Sequence, residues 1–250
     1  MNAQEQQAKD SLTTTTISLE EVSVAGLRAS KDQPLSFSEI TKGELKARNL
    51  GQDLPILLNF LPSVETTSDA GGGIGYTGIR VRGSDATRVN VTINGIPYND
   101  AESQGTFWVN LPDFASSVEN IQLQRGVGTS TNGSSAFGAS LNILTNTAAK
   151  EAYAQISNSV GSFGSLRHTL KFSTGLLNDK IEIAGRLASI QSNGYIDRAS
   201  SDLNAYFLQG VYQEGNTLIK ALVFGGHEIT YQSWFGVDPI TLTNDRTYNS

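Results

Sequence analysis

Residues Ile79–Asp100 read IRVRGSDATRVNVTINGIPYND, and the fold turns on how this stretch is read. Two short segments alternate, Ile79–Arg82 and Val89–Ile93, and the second runs into Asn94-Gly95, the strongest short-range hairpin signal in a sequence. In a strand, Ile79 and Val81 point one way and Arg80 and Arg82 the other. Val89, Val91 and Ile93 likewise make an apolar face opposed by Asn90 and Thr92. Gly83 allows a tight turn directly after Arg82. The stretch holds no nucleophile, metal cluster or phosphate cradle. Alone, it predicts the β-rich core of a small soluble domain.

A second stretch, Ser117–Asn146, reads SVENIQLQRGVGTSTNGSSAFGASLNILTN. Together the two resemble the plug domain of TonB-dependent outer-membrane receptors. The matching pieces are IRVRG (Ile79–Gly83), NGIPYND (Asn94–Asp100), VENIQLQRG (Val118–Gly126) and FGASLNILT (Phe137–Thr145), in the family's order and at plausible spacing. The resemblance covers roughly Glu20 to Asn146. It implies an α+β plug domain, a small mixed sheet with short helices, followed by antiparallel strands of a transmembrane β-barrel that has 22 strands in the intact family.

Composition is compatible with that reading. The chain has 250 residues, 38% of them hydrophobic, and no apolar run approaches the roughly 20 residues of a transmembrane helix. A membrane β-barrel needs no such run, because its apolar residues alternate with polar ones. The net charge of −6 and the lack of a Lys/Arg cluster argue against a nucleic-acid partner. Absence of cysteine excludes disulfides and thiolate metal sites. Met1–Asp10 is polar, without the apolar core of a signal peptide, so an exported chain would have a processed or engineered start.

Residues 1–16 are Gln-, Lys- and Thr-rich and read as a disordered arm. Residues 17–27, ISLEEVSVAGL, alternate briefly: Val22 and Val24 share one face, Glu21 and Ser23 the other. Such a segment pairs either with its own domain or with a partner. The resemblance implies the TonB box, Leu19, Glu20, Glu21, Val22, Ser23, Val24 and Ala25, which adds as a strand to the C-terminal domain of TonB. Backbone hydrogen bonds then supply affinity, so few side chains need be specified. The plug is expected over 31–148, and the first, incomplete set of barrel strands over 149–250.

Helical signals are few. Thr41 and Glu44 have capping-box spacing. Asp53 is placed to cap a second helix with Pro55 in its first turn and Pro62 at its end, burying Ile56, Leu57, Phe60 and Leu61. Gly73, Gly75 and Gly78 satisfy G-x-G-x-x-G, but no strand precedes them and a strand, not a helix, follows, so a loop is predicted instead of a dinucleotide site. In 99–112, NDAESQGTFWVNLP, adjacent Phe107 and Trp108 must face opposite ways, one buried and one free. Because the family's apical plug loops line the ligand chamber, Tyr76, Tyr98, Phe107 and Trp108 are the ligand-contact candidates.

From about Ala148 the texture changes. Tyr153–Val160, Leu166–Thr174, Ile181–Ile190, Leu203–Tyr212 and Leu218–Glu228 are strand-length runs, near the 9–11 residues of a tilted spanning strand. Leu166, Leu170 and Phe172 alternate with Arg167, Thr169, Lys171 and Ser173; Ile181, Ile183 and Leu187 oppose Glu182 and Arg186. Apolar toward lipid and polar toward a lumen is the barrel pattern, although a soluble sandwich shares its period. Connections at Leu176–Asp179 and Glu214–Asn216 are short. Gly161–Ser165, Ser192–Ser201 and Tyr231–Ser250 are expected to form outer loops. Five strands cannot close around such a plug, and an open sheet in lipid leaves edge groups unpaired, so a longer receptor is expected.

No catalytic pattern of the G-x-S-x-G or Walker type occurs, and no cofactor or metal is expected. His168 and His227 lie on separate strands; His168 falls on the apolar face, which predicts an interface or loop-proximal position. Asp100 and Glu102 read as solvated loop carboxylates. Arg82 and Arg125 each end a short strand before a glycine. Such arginines can simply cover apolar surface and reach water. The resemblance matches them to plug arginines that pair with barrel-wall glutamates beyond Ser250 and lock the plug in place; without those partners the side chains are expected to hydrate or find substitutes such as Glu119. The implied function is active import of a scarce solute (ferric siderophore, haem, cobalamin or glycan) across the outer membrane, driven through TonB; the alternative is a non-transporting secreted or surface β-protein, an adhesion or scaffold module.

Overall fold

The computed structural model describes residues 28–127 and 137–250 and resolves them into two five-stranded sheets, the first accompanied by a two-stranded pair. The first begins with β1 (Phe37–Thr41) and α1 (Lys42–Arg48), continues through α2 (Leu54–Leu57), β2 (Val64–Ser68), β3 (Thr77–Val81), β4 (Val89–Ile93) and β5 (Ile96–Pro97), and ends with β6 (Val118–Arg125) and β7 (Ala139–Thr145). Its strand order is β1-β6-β7-β4-β5, with β2 and β3 as a separate pair. The β4–β7 pairing is parallel and the rest antiparallel, so the sheet is mixed.

Local chemistry accounts for these elements. Thr41 and Glu44 form the reciprocal capping box at the start of α1. Asn94 and Gly95 both have positive φ, 49° and 81°, the mirror-image turn that a two-residue β-hairpin requires, and they join β4 to β5. Val89, Val91, Ile121, Leu123, Leu141 and Ile143 fill the core beneath, all but out of reach of water. Burying each of these side chains is worth about 1.5–3 kcal/mol.

Two sequence expectations change. Arg82 does not end a strand: it has φ 52° and, with Gly83, forms the tip of a hairpin closed by Val81 and Ser84. The strand stops at Val81 because the chain reverses there. The predicted second helix is one turn long and buries Leu54 and Leu57, whereas Phe60 is exposed beneath the Arg48 guanidinium, 3.7 Å from its ring centre. Asp53 precedes α2 but makes no cap, because its side chain accepts instead from Thr77.

The second sheet is a meander of β8 (Tyr153–Val160), β9 (Leu166–Ser173), β10 (Ile181–Ser192), β11 (Ser201–Glu214) and β12 (Thr217–Thr230), antiparallel throughout. The last three strands are longer than the sequence pattern indicated, at 12 and 14 residues. A short helix α3 (Pro239–Asn244) follows. On the convex face, register aligns Ile156, Leu170, Leu187 and Tyr206 in one rung, and Phe172, Leu208 and Val223 in another. One rung toward the 161–165 and 193–200 turns, the same face is polar across all five strands: Asn158, His168, Ser189, Asn204, His227. Both histidines thus mark an edge of the apolar band, and they are three strands apart. The concave face is not purely polar as the alternation implied. Ile190, Leu203, Phe207 and Val211 are buried there; Phe207 joins the core of the first sheet, and Ile190 and Leu203 pack with Ile74 and Val109.

Candidate functional site

Where the two sheets meet, three groups of contacts define an interface. At one end, the glycine-rich loop after β2 reaches the turns of the second sheet. Tyr195 and Ile196 donate backbone N–H groups to the Ala70 carbonyl at 2.7 and 3.2 Å, and Ser233 Oγ donates to that of Asp69 at 2.7 Å. Gly75 has φ 99°, and a Cβ there would lie 2.5 Å from Ser201 Oγ, so only glycine permits this approach. Tyr76 meets Trp234 edge-on, ring centres 6.0 Å apart.

Near the middle of the interface, Phe114 packs edge-on against the stacked pair Phe207 and Phe224, with centroids 5.9 and 5.4 Å away. Beside it, Asp113 is only 3% exposed and collects donors from its own domain and from the second sheet. Asn49 Nδ2 (3.1 Å) and Ser116 Oγ (2.7 Å) donate from its own side, Thr169 Oγ1 (2.7 Å) from β9. Arg167 Nε lies 3.3 Å from the carboxylate and its Nη1 donates to the Asn49 carbonyl at 2.6 Å. Arg186 donates to the Asp113 carbonyl and Lys171 to that of Ser116. A second buried carboxylate, Asp53, is treated differently. It has Thr77 Oγ1 at 2.9 Å, while its Oδ1 is without a partner among the described residues. Burial pushes its carboxyl up to about 8, opposed by the Thr77 and Gly75 hydrogen bonds and aided by the charge of Glu228.

The connector from the first sheet to the second is tied down as well. Gln209 accepts from Thr145 Oγ1 at 3.1 Å and donates to the Asn146 carbonyl at 3.0 Å, and Glu182 accepts from the Ala149 amide at 2.9 Å. A globule seated on the concave face of a meander that is apolar outside is the geometry the sequence motifs implied. The TonB-dependent receptor plug domain family matches residues 29–140. The chain carries a TonB-dependent receptor plug. A vitamin B12 transporter of Vibrio vulnificus (strain YJ016) is 29% identical over 195 residues, covering 78% of this chain and 30% of that protein. The chain therefore spans about a third of that relative's length. Among solved structures, the ferric citrate transporter FecA in the unliganded form superposes with a TM-score of 0.70 over 87% of this chain and 34% of its own, at 15% identity. The siderophore receptor PirA of Acinetobacter baumannii gives 0.60 over 79% and 32%, at 19% identity. These likenesses show the fold: an α+β plug with a mixed sheet, then antiparallel strands of the barrel kind.

The expected site residues fall into different surroundings. Tyr76 packs against Trp234 and the cluster of Ile74, Val109, Ile190 and Leu203. Of the adjacent pair, Phe107 is 47% exposed, whereas Trp108 is 2% exposed and part of the plug core, so its indole is not offered to a ligand. Tyr98 leans on Phe224 at 6.1 Å and is half-buried. Arg82 and Arg125 come together: a Cβ on Gly126 would lie 3.3 Å from Arg82 Nη1. Arg125 donates to the Pro62 carbonyl at 3.0 Å, to Ser36 at 3.1 Å and to Ser38, and burial, then the Arg82 charge, lowers its pKa. Arg82 is exposed and has no carboxylate partner among the described residues. Glu119 is no substitute, because Lys42 holds it at 2.9 Å. The TonB-box segment Leu19–Ala25 lies outside the described residues. Sequence reasoning passed over Asp113. Its signal was the alternation that put Arg167, Lys171 and Arg186 on one face, where three cations require a buried counter-charge.

Proposed function

We propose that this chain is the plug and first wall strands of an outer-membrane receptor that imports a scarce solute to the periplasm using energy relayed by TonB. The observation that carries the reading is the plug seated on the concave face of β8–β12, whose other face is apolar over several rungs. The relatives' names point to cobalamin, ferric citrate and siderophores, and cobalamin is the first solute to test because it belongs to the relative with sequence similarity over most of this chain. In this reading 31–148 is the plug and 149–250 the start of the barrel. The outer turns at 161–165, 193–200 and 231–250, with Tyr76 and Phe107, form part of the solute-facing surface. Leu19–Ala25 is the strand captured by TonB. Arg82 and Arg125 lock the plug to wall carboxylates outside residues 1–250; two adjacent guanidiniums without an ion-paired acid among the described residues supply the demand for them, and Arg is suited to bidentate carboxylate pairing.

The test is uptake by the full-length receptor in a strain lacking its own cobalamin receptor. Growth on limiting cobalamin, lost when Val22 and Val24 are both changed to Pro, supports the reading, because proline removes the strand N–H donors that TonB would pair with. Unchanged capture of the TonB C-terminal domain by that variant refutes the box assignment. Growth on ferric citrate or a siderophore instead of cobalamin keeps the receptor and changes the solute.

A further inference from the structure

We propose that Asp113 is an ionic latch that seats the plug on the wall, its polarity the reverse of an arginine-on-plug lock: here the plug supplies the anion and the wall the cations. The proposal rests on the receptor reading above.

The argument starts from the wall. Register places Lys171 directly opposite Arg186 on β9 and β10, with Arg167 one inward position along β9 beyond Thr169. Like charges facing across strands repel. Arg167 and Arg186 are 7% and 2% exposed, so water does little to relieve them. Lys42 and Lys46 on the plug add further positive charge near Lys171. Among the described residues, Asp113 is the one carboxylate ion-paired with Arg167, and its charge is the one that opposes the burial of Arg186. Removing one partner of such a buried set leaves uncompensated charge.

The plug side is built to hold that carboxylate. Asp113 adopts φ 52°, ψ 21°, a left-handed conformation that Asp and Asn tolerate better than other side-chain-bearing residues. This turns the peptide so that the carboxylate meets Thr169 and Arg167 while the carbonyl of the same residue meets Arg186. One residue thus grips two wall strands at once. Phe114, the next residue, plants its ring against Phe207 and Phe224 of the neighbouring strands. The segment 113–117 is therefore the seat of the plug, and the latch carries its charge.

Asp113→Asn isolates that charge, since asparagine keeps the shape and tolerates the backbone. In the full-length receptor in outer membranes, a reporter cysteine replacing buried Ala115 reads exposure of the seat through maleimide labelling. With Asp113→Asn, labelling is expected to accelerate by roughly one to two orders of magnitude, as an uncompensated buried charge raises the open population. Cells should also become sensitive to vancomycin, the probe for an open pore. Asp113→Asn/Arg167→Gln removes one charge of each sign and should return both readouts toward wild type. Wild-type labelling in Asp113→Asn, or no recovery in the double variant, overturns the proposal. Where Asp113→Asn leaves no assembled receptor, assembly regained in the double variant supports the latch, and its continued absence overturns it. Heat-modifiable migration of the wild-type barrel in the outer-membrane fraction reads the receptor assignment separately: if that is missing, the receptor reading falls and the latch with it. If it is present while labelling stays flat, the latch alone falls.

Discussion

Two aspartates of the plug are almost equally hidden, Asp53 at 2% and Asp113 at 3% exposure. Their surroundings differ in kind. Asp113 has three side-chain donors besides a guanidinium, and it ties plug residues outside the strands to β9 of the second sheet. Asp53 has a threonine hydroxyl and one backbone hydrogen bond from Gly75, no cation among the described residues, and on β12 the like charge of Glu228. Depth therefore does not decide what a buried carboxylate does. Donors and counter-charge convert one into a grip, and their scarcity makes the other a group that holds its proton near neutrality.

The comparison is broken hardest at Asp113. Asp113→Ala removes the counter-charge of Arg167 and Arg186 and places alanine at a positive φ. It is expected to cost the plug about 3–5 kcal/mol, read as a lower urea midpoint for plug unfolding in the solubilised receptor. Thr77→Val strikes Asp53, removing its side-chain hydrogen bond. The expected loss is about 1–3 kcal/mol in the same measurement at pH 9, where the carboxyl is charged and keeps only the Gly75 backbone hydrogen bond.

Acidity sharpens the contrast further. The Asp53 carboxyl is raised from 3.8 to about 8 in the folded plug. Below pH 4 both states hold the proton, and the stabilising contribution is complete. Between about 4 and about 8 the folded plug keeps a proton that the unfolded chain has released, so this contribution declines as pH rises and is lost above about 8. Melting of the plug should accordingly fall from pH 5 to pH 8 in the wild type. In Asp53→Asn that part of the slope should vanish. A wild-type slope retained in Asp53→Asn would assign the effect to another group.

Much of this was legible in the chain, and the rest was not, for physical reasons. The wall is a meander in which each strand pairs with its sequence neighbour, so the period of two and the turn positions sufficed to place β8–β12. In the plug, β1 pairs with β6 and β4 with β7, across dozens of residues. No local pattern encodes such partners; the motif resemblance implied a small mixed sheet but not which strands pair within it. Asn94-Gly95 and the Thr41–Glu44 box were readable because turn and cap chemistry is local. Trp108 was named beside Phe107 because alternation says that one of two neighbours is buried without saying which. The Asp113 latch joins segments some fifty to seventy residues apart. Its wall half was visible as an inward row of cations; its plug half was a single acid in a loop, the residue type most often left to solvent.

The finest cut between the two aspartates is Glu228→Gln. Glu228 acts on Asp53 only through charge, and its contribution is the smallest of the causes that set the Asp53 carboxyl, behind burial and the two hydrogen bonds. Neutralising it should leave the Asp113 side untouched and the maleimide labelling of Ala115→Cys at wild-type rate. The midpoint of the pH-dependent melting step should move down by a fraction of a unit, because one fewer negative charge opposes ionisation of Asp53. The accompanying change in stability at pH 7 should stay within about 0.5 kcal/mol, as for most substitutions that remove no buried contact. A larger shift would mean that Glu228 and Asp53 share a proton directly; an upward shift would mean that Glu228 stabilises the Asp53 anion, and the assignment of Asp53 as an unsupported carboxyl would be wrong.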